Sequence, residues 1–235
     1  MQTSAPIYVL KQKAKRLARE ASMPLHQALD SIAMREGYQS WSHLSASANT
    51  ESPAKQILQH LRPGDLCLIG ARPGQGKTRL GLELAARASR TGRTGYFFTL
   101  DYHARDVAEQ FTAMHIDPSS AGVVVDTSDD VSTDYITARL SAAKGPALIV
   151  VDYLQLLDQK RTNPSLDCQM SALRSHLNDA GDIALIISQI DRRFDLAGKR
   201  MPDISDIRQP NPFDLSVFSK CVFLHDGEVR IDQAV

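Results

Sequence analysis

The 235 residues carry no net charge, since 27 basic side chains are matched by 27 acidic ones. A chain without an excess of either sign has no global field to draw it onto nucleic acid, so any such contact has to be local. Cysteine is scarce: Cys67, Cys168 and Cys221 are widely spaced and form no CxxC pair. That argues against a disulfide framework or a cysteine-based zinc site, and it suits a reducing cytoplasm. The seven histidines show no ligand spacing. No apolar run approaches the roughly 20 residues of a membrane span, and the polar N-terminus lacks the apolar centre of a secretion signal. The expectation is a soluble, cytoplasmic protein with no membrane partner. With 43% hydrophobic residues it can bury one main domain and leave room for a small second one.

What the chain does have is the run Ala71-Arg72-Pro73-Gly74-Gln75-Gly76-Lys77-Thr78, set between the apolar stretch Leu66 to Ile69 and a helix-forming stretch from Arg79. Two glycines at this spacing let successive backbone N–H groups turn inward around phosphates, and the helix start adds partial positive charge. Lys77 is placed to reach the β- and γ-phosphates, and the Thr78 hydroxyl to bind Mg²⁺. The whole loop from Ala71 through Arg79 is the candidate nucleotide site. Its first position is Ala71 where the general pattern has glycine, although Gly70 stands one residue earlier.

Composition changes around Ser45 to Pro53, where small polar residues replace the alternation of apolar and charged ones, so residues 47–55 read as a linker. Before it, residues 1–46 read as a basic helical module. Lys11, Lys13, Lys15, Arg16 and Arg19 surround Leu10, Ala14, Leu17 and Ala18 in a helical pattern. Pro24 opens a second helix with the apolar stripe Leu25, Ala28, Leu29, Ile32 and Ala33, and Tyr38, Trp41 and Leu44 close a minimal core. The basic face has two readings, a solvated surface or a dock for nucleic acid or a protein. The stretch "ALDSIAMREGYQSWSHL" resembles small helical modules at the N-termini of plasmid-borne and mobile-element proteins.

Residues 56–235 alternate β-branched runs with helical stretches. Strands are expected at Leu66 to Ile69, Gly95 to Leu100, Gly122 to Val125, Ala147 to Asp152, Ile183 to Ser188, Lys220 to Leu224 and Val229 to Ile231. Runs such as Ala-Leu-Ile-Val-Val, unbroken by polar residues, suit a parallel sheet covered on both faces. The fold class is therefore α/β, with the nucleotide at the carboxyl ends of the strands. Three polar residues end such strands. Asp152 is placed to hold Mg²⁺ and Asp101 to polarise a water, while Gln189 is placed to contact the γ-phosphate. Asp101 has a second reading as the cap of the following helix, and Gln189 as an ordinary exposed residue. Arg192, Arg193, Lys199 and Arg200 lie in a polar loop able to hold phosphates, or simply solvated, with Phe194 its one aromatic residue.

"IGARPGQGKT", "YFFTLD", "LIVVDYLQLL", "IISQIDRR" and "KRMPDISDIRQ" follow one another in an order and approximate spacing that resembles the RecA-like ATPase domain of DnaB-type replicative helicases. The likeness runs from about Gly64 to Leu224. It implies a RecA-like P-loop NTPase fold with a mainly parallel sheet covered by helices, beside the small N-terminal helical module. It also implies ATP and Mg²⁺ as cofactors, with Lys77 and Thr78 as Walker A residues, Asp152 as the Walker B aspartate and Gln189 as the γ-phosphate sensor. The family's catalytic glutamate falls on Asp101, a side chain one methylene shorter. The family closes its site with basic residues supplied in trans, and here Arg230 is the one basic residue in the corresponding late strand. The primase-interacting N-terminal domain is replaced by the basic module. The resulting expectation is an ATPase accessory to DNA replication, plasmid or mobile-element processing, meeting DNA, a second copy of itself or a replication-type protein. A nucleotide-gated docking module with little turnover is the alternative. A phosphotransferase would need an arginine-rich lid, and "VVDYLQLL" speaks against it.

Overall fold

The computed structural model describes residues 4, 7–47, 52–100, 102–114, 116–117, 122–143, 145–158, 163–209 and 211–233. By contacts the chain divides into two compact units, Met1–Ser52 with Asp226–Glu228, and Pro53–His225 with Val229–Val235.

The first unit holds α1 (Ile7–Glu20), α2 (Leu25–Arg35) and α3 (Trp41–Ser47). Leu10, Ala14, Ala28, Ile32, Ala33, Tyr38 and Leu44 form its core, with Leu17, Leu29 and Trp41 packed around them. These are the positions that helical periodicity marks as one face. The Asp30 carboxylate accepts the Trp41 N–H at 2.8 Å, which satisfies an orphan donor at the start of α3.

The second unit is a seven-stranded sheet in the order β3-β2-β4-β5-β1-β6-β7. Its strands are β1 (Leu66–Ala71), β2 (Thr94–Thr99), β3 (Val123–Asp126), β4 (Ala147–Asp152), β5 (Ile183–Gln189), β6 (Lys220–His225) and β7 (Glu228–Gln233). Every pairing from β3 to β6 is parallel. Helices α4 (Pro53–His60), α5 (Lys77–Arg87), α6 (Ala104–Ala113), α7 (Thr133–Leu140) and α8 (Leu166–Ala180) cover it, and a short α9 (Arg193–Leu196) follows β5. Because side chains alternate across a strand, each apolar run feeds two cores at once. Leu66, Leu68, Phe98, Ile149, Val151 and Ile186 meet Met170, Leu173 and Leu177 of α8 on one face. Cys67, Ile69, Phe97, Val150, Leu185 and Ile187 meet Leu82, Leu84 and Ala85 of α5 on the other. The packing of α5 on β2 is close: a Cβ at Gly95 would fall 2.0 Å from the Ala85 carbonyl oxygen, so only glycine fits.

Helix α4 begins at Pro53, inside the expected 47–55 linker, because Ala54 and Ile57 are buried against the α5 face of the sheet. The β6–β7 hairpin turns on Asp226 and Gly227, both left-handed at φ 50° and 83°, the backbone that a two-residue Asp-Gly turn requires.

Candidate nucleotide site

All six residues of β1 are buried, and the strand is paired on both sides, so it delivers the loop after Ala71 from a fixed point. Gly74 and Gly76 then adopt φ of 78° and 81°, a region where an L side chain is strained. Left-handed residues in such a loop turn neighbouring N–H groups toward one concave side. A Cβ built on either glycine meets nothing within 4 Å. The space beside both glycines is thus open. Gly76 caps α5, and the Leu80 N–H donates to its carbonyl at 2.9 Å. Lys77 and Thr78 are the first residues of the helix and are half-buried, while Arg79 at the same turn is exposed. The first turn holds no acidic residue to oppose an anion.

The sheet register brings the other candidates to the same edge. Gln189, the last residue of β5, stands opposite Ala71. Asp152, the last residue of β4 and 1% exposed, stands opposite Ile187 and Thr99. β5 therefore separates the loop strand from the Asp152 strand, and both ends open on one side of the sheet. The Thr78 hydroxyl and the Asp152 carboxylate are hard oxygen donors of the kind Mg²⁺ takes, so the open space beside the glycines and this donor set fit a Mg²⁺-bound triphosphate. Asp101 lies outside the described residues. The start of α6 is served by Asp106, whose carboxylate accepts the His103 N–H at 3.0 Å.

Arg72 is placed differently from a phosphate ligand. Its Nε and Nη2 donate to the two carboxylate oxygens of Asp195 at 3.1 and 2.7 Å, and Nη1 donates to the Ile190 carbonyl at 3.1 Å. This bidentate clamp ties the loop to α9 and to the residue just past Gln189. The backbone repeats the link, since Ile190 N–H donates to Ala71 O at 3.1 Å. Arg208 adds a third tie: its N–H donates to Gln189 O at 2.8 Å and its Nη1 to Gln189 Oε1 at 3.3 Å. The side-chain carbonyl of Gln189 is thereby held by Arg208. Arg72, Pro73, Gln189, Ile190, Asp191, Arg192 and Arg208 line a cleft of about 310 Å³ beside the loop.

The basic loop after β5 is largely neutralised from within. Arg193 pairs with Asp191 at 3.1 Å, and Lys199 with Asp203 and Asp206, both at 2.9 Å. Asp191 is held below the usual carboxylate range, chiefly by the Arg193 backbone N–H and then by its guanidinium. Asp203 is lowered likewise, first by the Ser205 hydroxyl and then by Lys199. Arg230 on β7 donates to Asp232 and to the Pro202 carbonyl at 3.0 and 2.9 Å. Among the described residues no cluster of three His, Cys, Asp or Glu side chains is placed to hold a metal by itself, and no helix is long and apolar enough to cross a membrane.

No family model matches the chain. Among solved structures, a DnaB-like replicative helicase solved for its interactions with primase aligns with a TM-score of 0.59 and 19% identity, covering 97% of this chain and 71% of that one. The second unit has the RecA-like fold of DnaB-type ATPase domains. A KaiC-like protein from Pyrococcus horikoshii shares the fold at a TM-score of 0.52 and 17% identity, over 68% of this chain and 70% of that one. In sequence the chain is 25% identical over 179 residues to the replicative helicase DnaB of Geobacillus stearothermophilus, covering 62% of this chain and 39% of that protein. It is 23% identical over 208 residues to the DnaB of Mycoplasma genitalium, covering 72% and 44%. The chain thus spans less than half the length of these two curated relatives.

Proposed function

We propose that the chain is a Mg²⁺-dependent ATPase of the RecA/DnaB type, acting as an accessory in DNA replication or in plasmid or mobile-element processing. The observation that carries this reading is the open glycine loop at the mouth of β1, with Asp152 and Gln189 delivered by the register to the same sheet edge. The loop amides and Lys77 would hold the phosphates, and Thr78 and Asp152 would hold Mg²⁺, which when bound would supply positive charge against the phosphoryl oxygens. Asp101 accepts the proton of the attacking water. Gln189 donates its amide to the terminal phosphate. DNA and a second copy or a replication-type protein are the partners, met through the loop of Arg192, Arg193, Lys199 and Arg200 or through the basic helix α1.

A second reading, a nucleotide-gated docking module with little turnover, is favoured by one observation. Arg230 already spends its guanidinium on Asp232 and Pro202, so it is not offered to a neighbouring site. Mg²⁺-dependent ATP hydrolysis by the purified protein, with and without single-stranded DNA and over a range of concentrations, separates the two. Turnover that rises with DNA and concentration supports the ATPase, whereas tight ATP binding without turnover supports the docking module. Lys77→Ala should abolish both binding and turnover. Asp101→Asn should keep binding and lose turnover; an unchanged rate would remove Asp101 from that role.

A further inference from the structure

The two basic surfaces of this chain differ in how their charge is spent. The segment from Asp191 to Arg208 carries five basic and four acidic residues, and Arg193 and Lys199 are bound to aspartates within it. Helix α1 carries five basic residues and one acid, Glu20. Lys11, Lys13, Lys15, Arg16 and Arg19 are all exposed. Glu20 meets Arg16 at 3.5 Å; among the described residues Lys11, Lys15 and Arg19 form no ion pair. The other acids of the module are committed elsewhere. Asp30 accepts the Trp41 N–H, and Glu36 accepts from the N–H and hydroxyl of Ser4 at 2.6 and 2.5 Å. Those two bonds, with Lys13 a smaller contributor, hold the Glu36 carboxyl below its usual range.

The cations are also ordered. Leu10 and Ala14 are fully buried and fix the inner face of α1. Lys11, Lys15 and Arg19 recur every four residues on the outer face, about 6 Å apart along the axis at the helical rise. Elsewhere Arg72, Arg87, Arg105, Arg139, Lys220 and Arg230 each sit on a carboxylate. An exposed row of cations at even spacing along one helix face has as its complement a line of evenly spaced negative charge.

We infer that the outer face of α1 is the nucleic-acid contact of this protein, a sequence-independent seat for the duplex phosphate backbone built on Lys11, Lys15 and Arg19 with Arg16 beside them. The contact is ionic, so it is governed by counterion release. This deepens the DNA part of the function proposed above and moves the contact away from the loop after β5. It does not depend on nucleotide binding, and Lys77→Ala keeps the two separable: that variant is expected to bind duplex like the parent whatever becomes of its ATPase.

The test is fluorescence anisotropy of the 235-residue protein with a fluorescein-labelled random-sequence DNA duplex, from 50 to 200 mM KCl. Four phosphate contacts give a slope of log K against log salt of about −3.6. The triple variant K11Q/K15Q/R19Q, checked for folding by circular dichroism, is expected to lose at least about tenfold in affinity at 100 mM salt and to bring the slope to about −1. Arg192→Ala with Arg193→Ala is expected to bind as the parent does. The inference is overturned if the parent does not bind duplex, if the triple variant keeps the parental slope, or if the loop variant is the one that loses binding. It is equally overturned if vesicles of anionic phospholipid capture the parent as tightly as the duplex does.

Discussion

At the scale of single residues, the side chain with the widest reach is Arg72, which joins its own loop to Asp195 and Ile190. Its partner Asp195 is half exposed, so the pair is partly screened and its contribution to stability is small. Its geometric effect is larger, because the clamp fixes the phosphate loop relative to the strand end that presents Gln189. Asp195→Ala should therefore lower ATP affinity severalfold, about 1 kcal/mol, while leaving the unfolding midpoint nearly unchanged. Titration with a fluorescent ATP analogue beside a thermal melt distinguishes this from general loss of fold. The cysteines give a second residue-scale prediction. Burial pushes the Cys67 thiol far up, and it pushes Cys221 up to about 11, with Asp232 adding a smaller push. A raised thiol pKa leaves less thiolate at any given pH, and thiolate is the reactive form. Cys168 is exposed. Native protein at pH 8 should show one fast thiol toward Ellman's reagent, and three only after denaturation.

At the scale of elements, the buried ion pair under β1 and β6 bears most weight. Lys220 Nζ lies 2.5 Å from Asp65, whose oxygens also receive the Ser219 hydroxyl at 2.8 Å and the Arg62 N–H at 2.6 Å. Asp65→Ala would leave Lys220 buried without its carboxylate, so a loss of about 3 to 5 kcal/mol is expected, measured by urea unfolding. Double replacement with Lys220→Met should recover part of it, because the uncompensated charge goes too. The sheet itself was legible in the chain because strands covered on both faces must be apolar at every position, as β4 and β5 are along most of their length. Helix α4 was less legible: its Ser-Pro start lies in a stretch whose composition resembles a linker. Pro53 at the first position and the buried Ala54 and Ile57 were the signals available. The places of the loop, Asp152 and Gln189 at strand ends could be read because the apolar runs of β1, β4 and β5 mark where each strand stops. The Arg72–Asp195 and Arg208–Gln189 ties could not, since they join residues 123 and 19 positions apart. Only folding makes those residues neighbours.

At the scale of the whole molecule, the contact division after Ser52 makes a sharp statement about where the chain can be cut. Removing residues 1–52 takes away α1, α2 and α3 with their own small core, and it leaves both cores of the sheet untouched. Removing residues 1–60 takes away α4 as well. Ala54 and Ile57 are 0% and 1% exposed and pack against the α5 face, so that cut uncovers apolar surface in the cluster that holds Cys67 and Ile69. Burying an aliphatic side chain is worth about 1.5 to 3 kcal/mol, and losing both residues with the rest of α4 should cost the domain several kcal/mol. The shorter truncation should melt near the parent's temperature and bind ATP with the parent's affinity. The longer one should melt lower by about 10 °C or more, taking roughly 2 to 4 °C per kcal/mol for a domain of this size. Differential scanning fluorimetry of the two proteins with and without Mg²⁺-ATP checks both statements. Equal melting of the two would mean that α4 belongs with the helical module, and failure of the shorter protein to fold would mean that the two units are one.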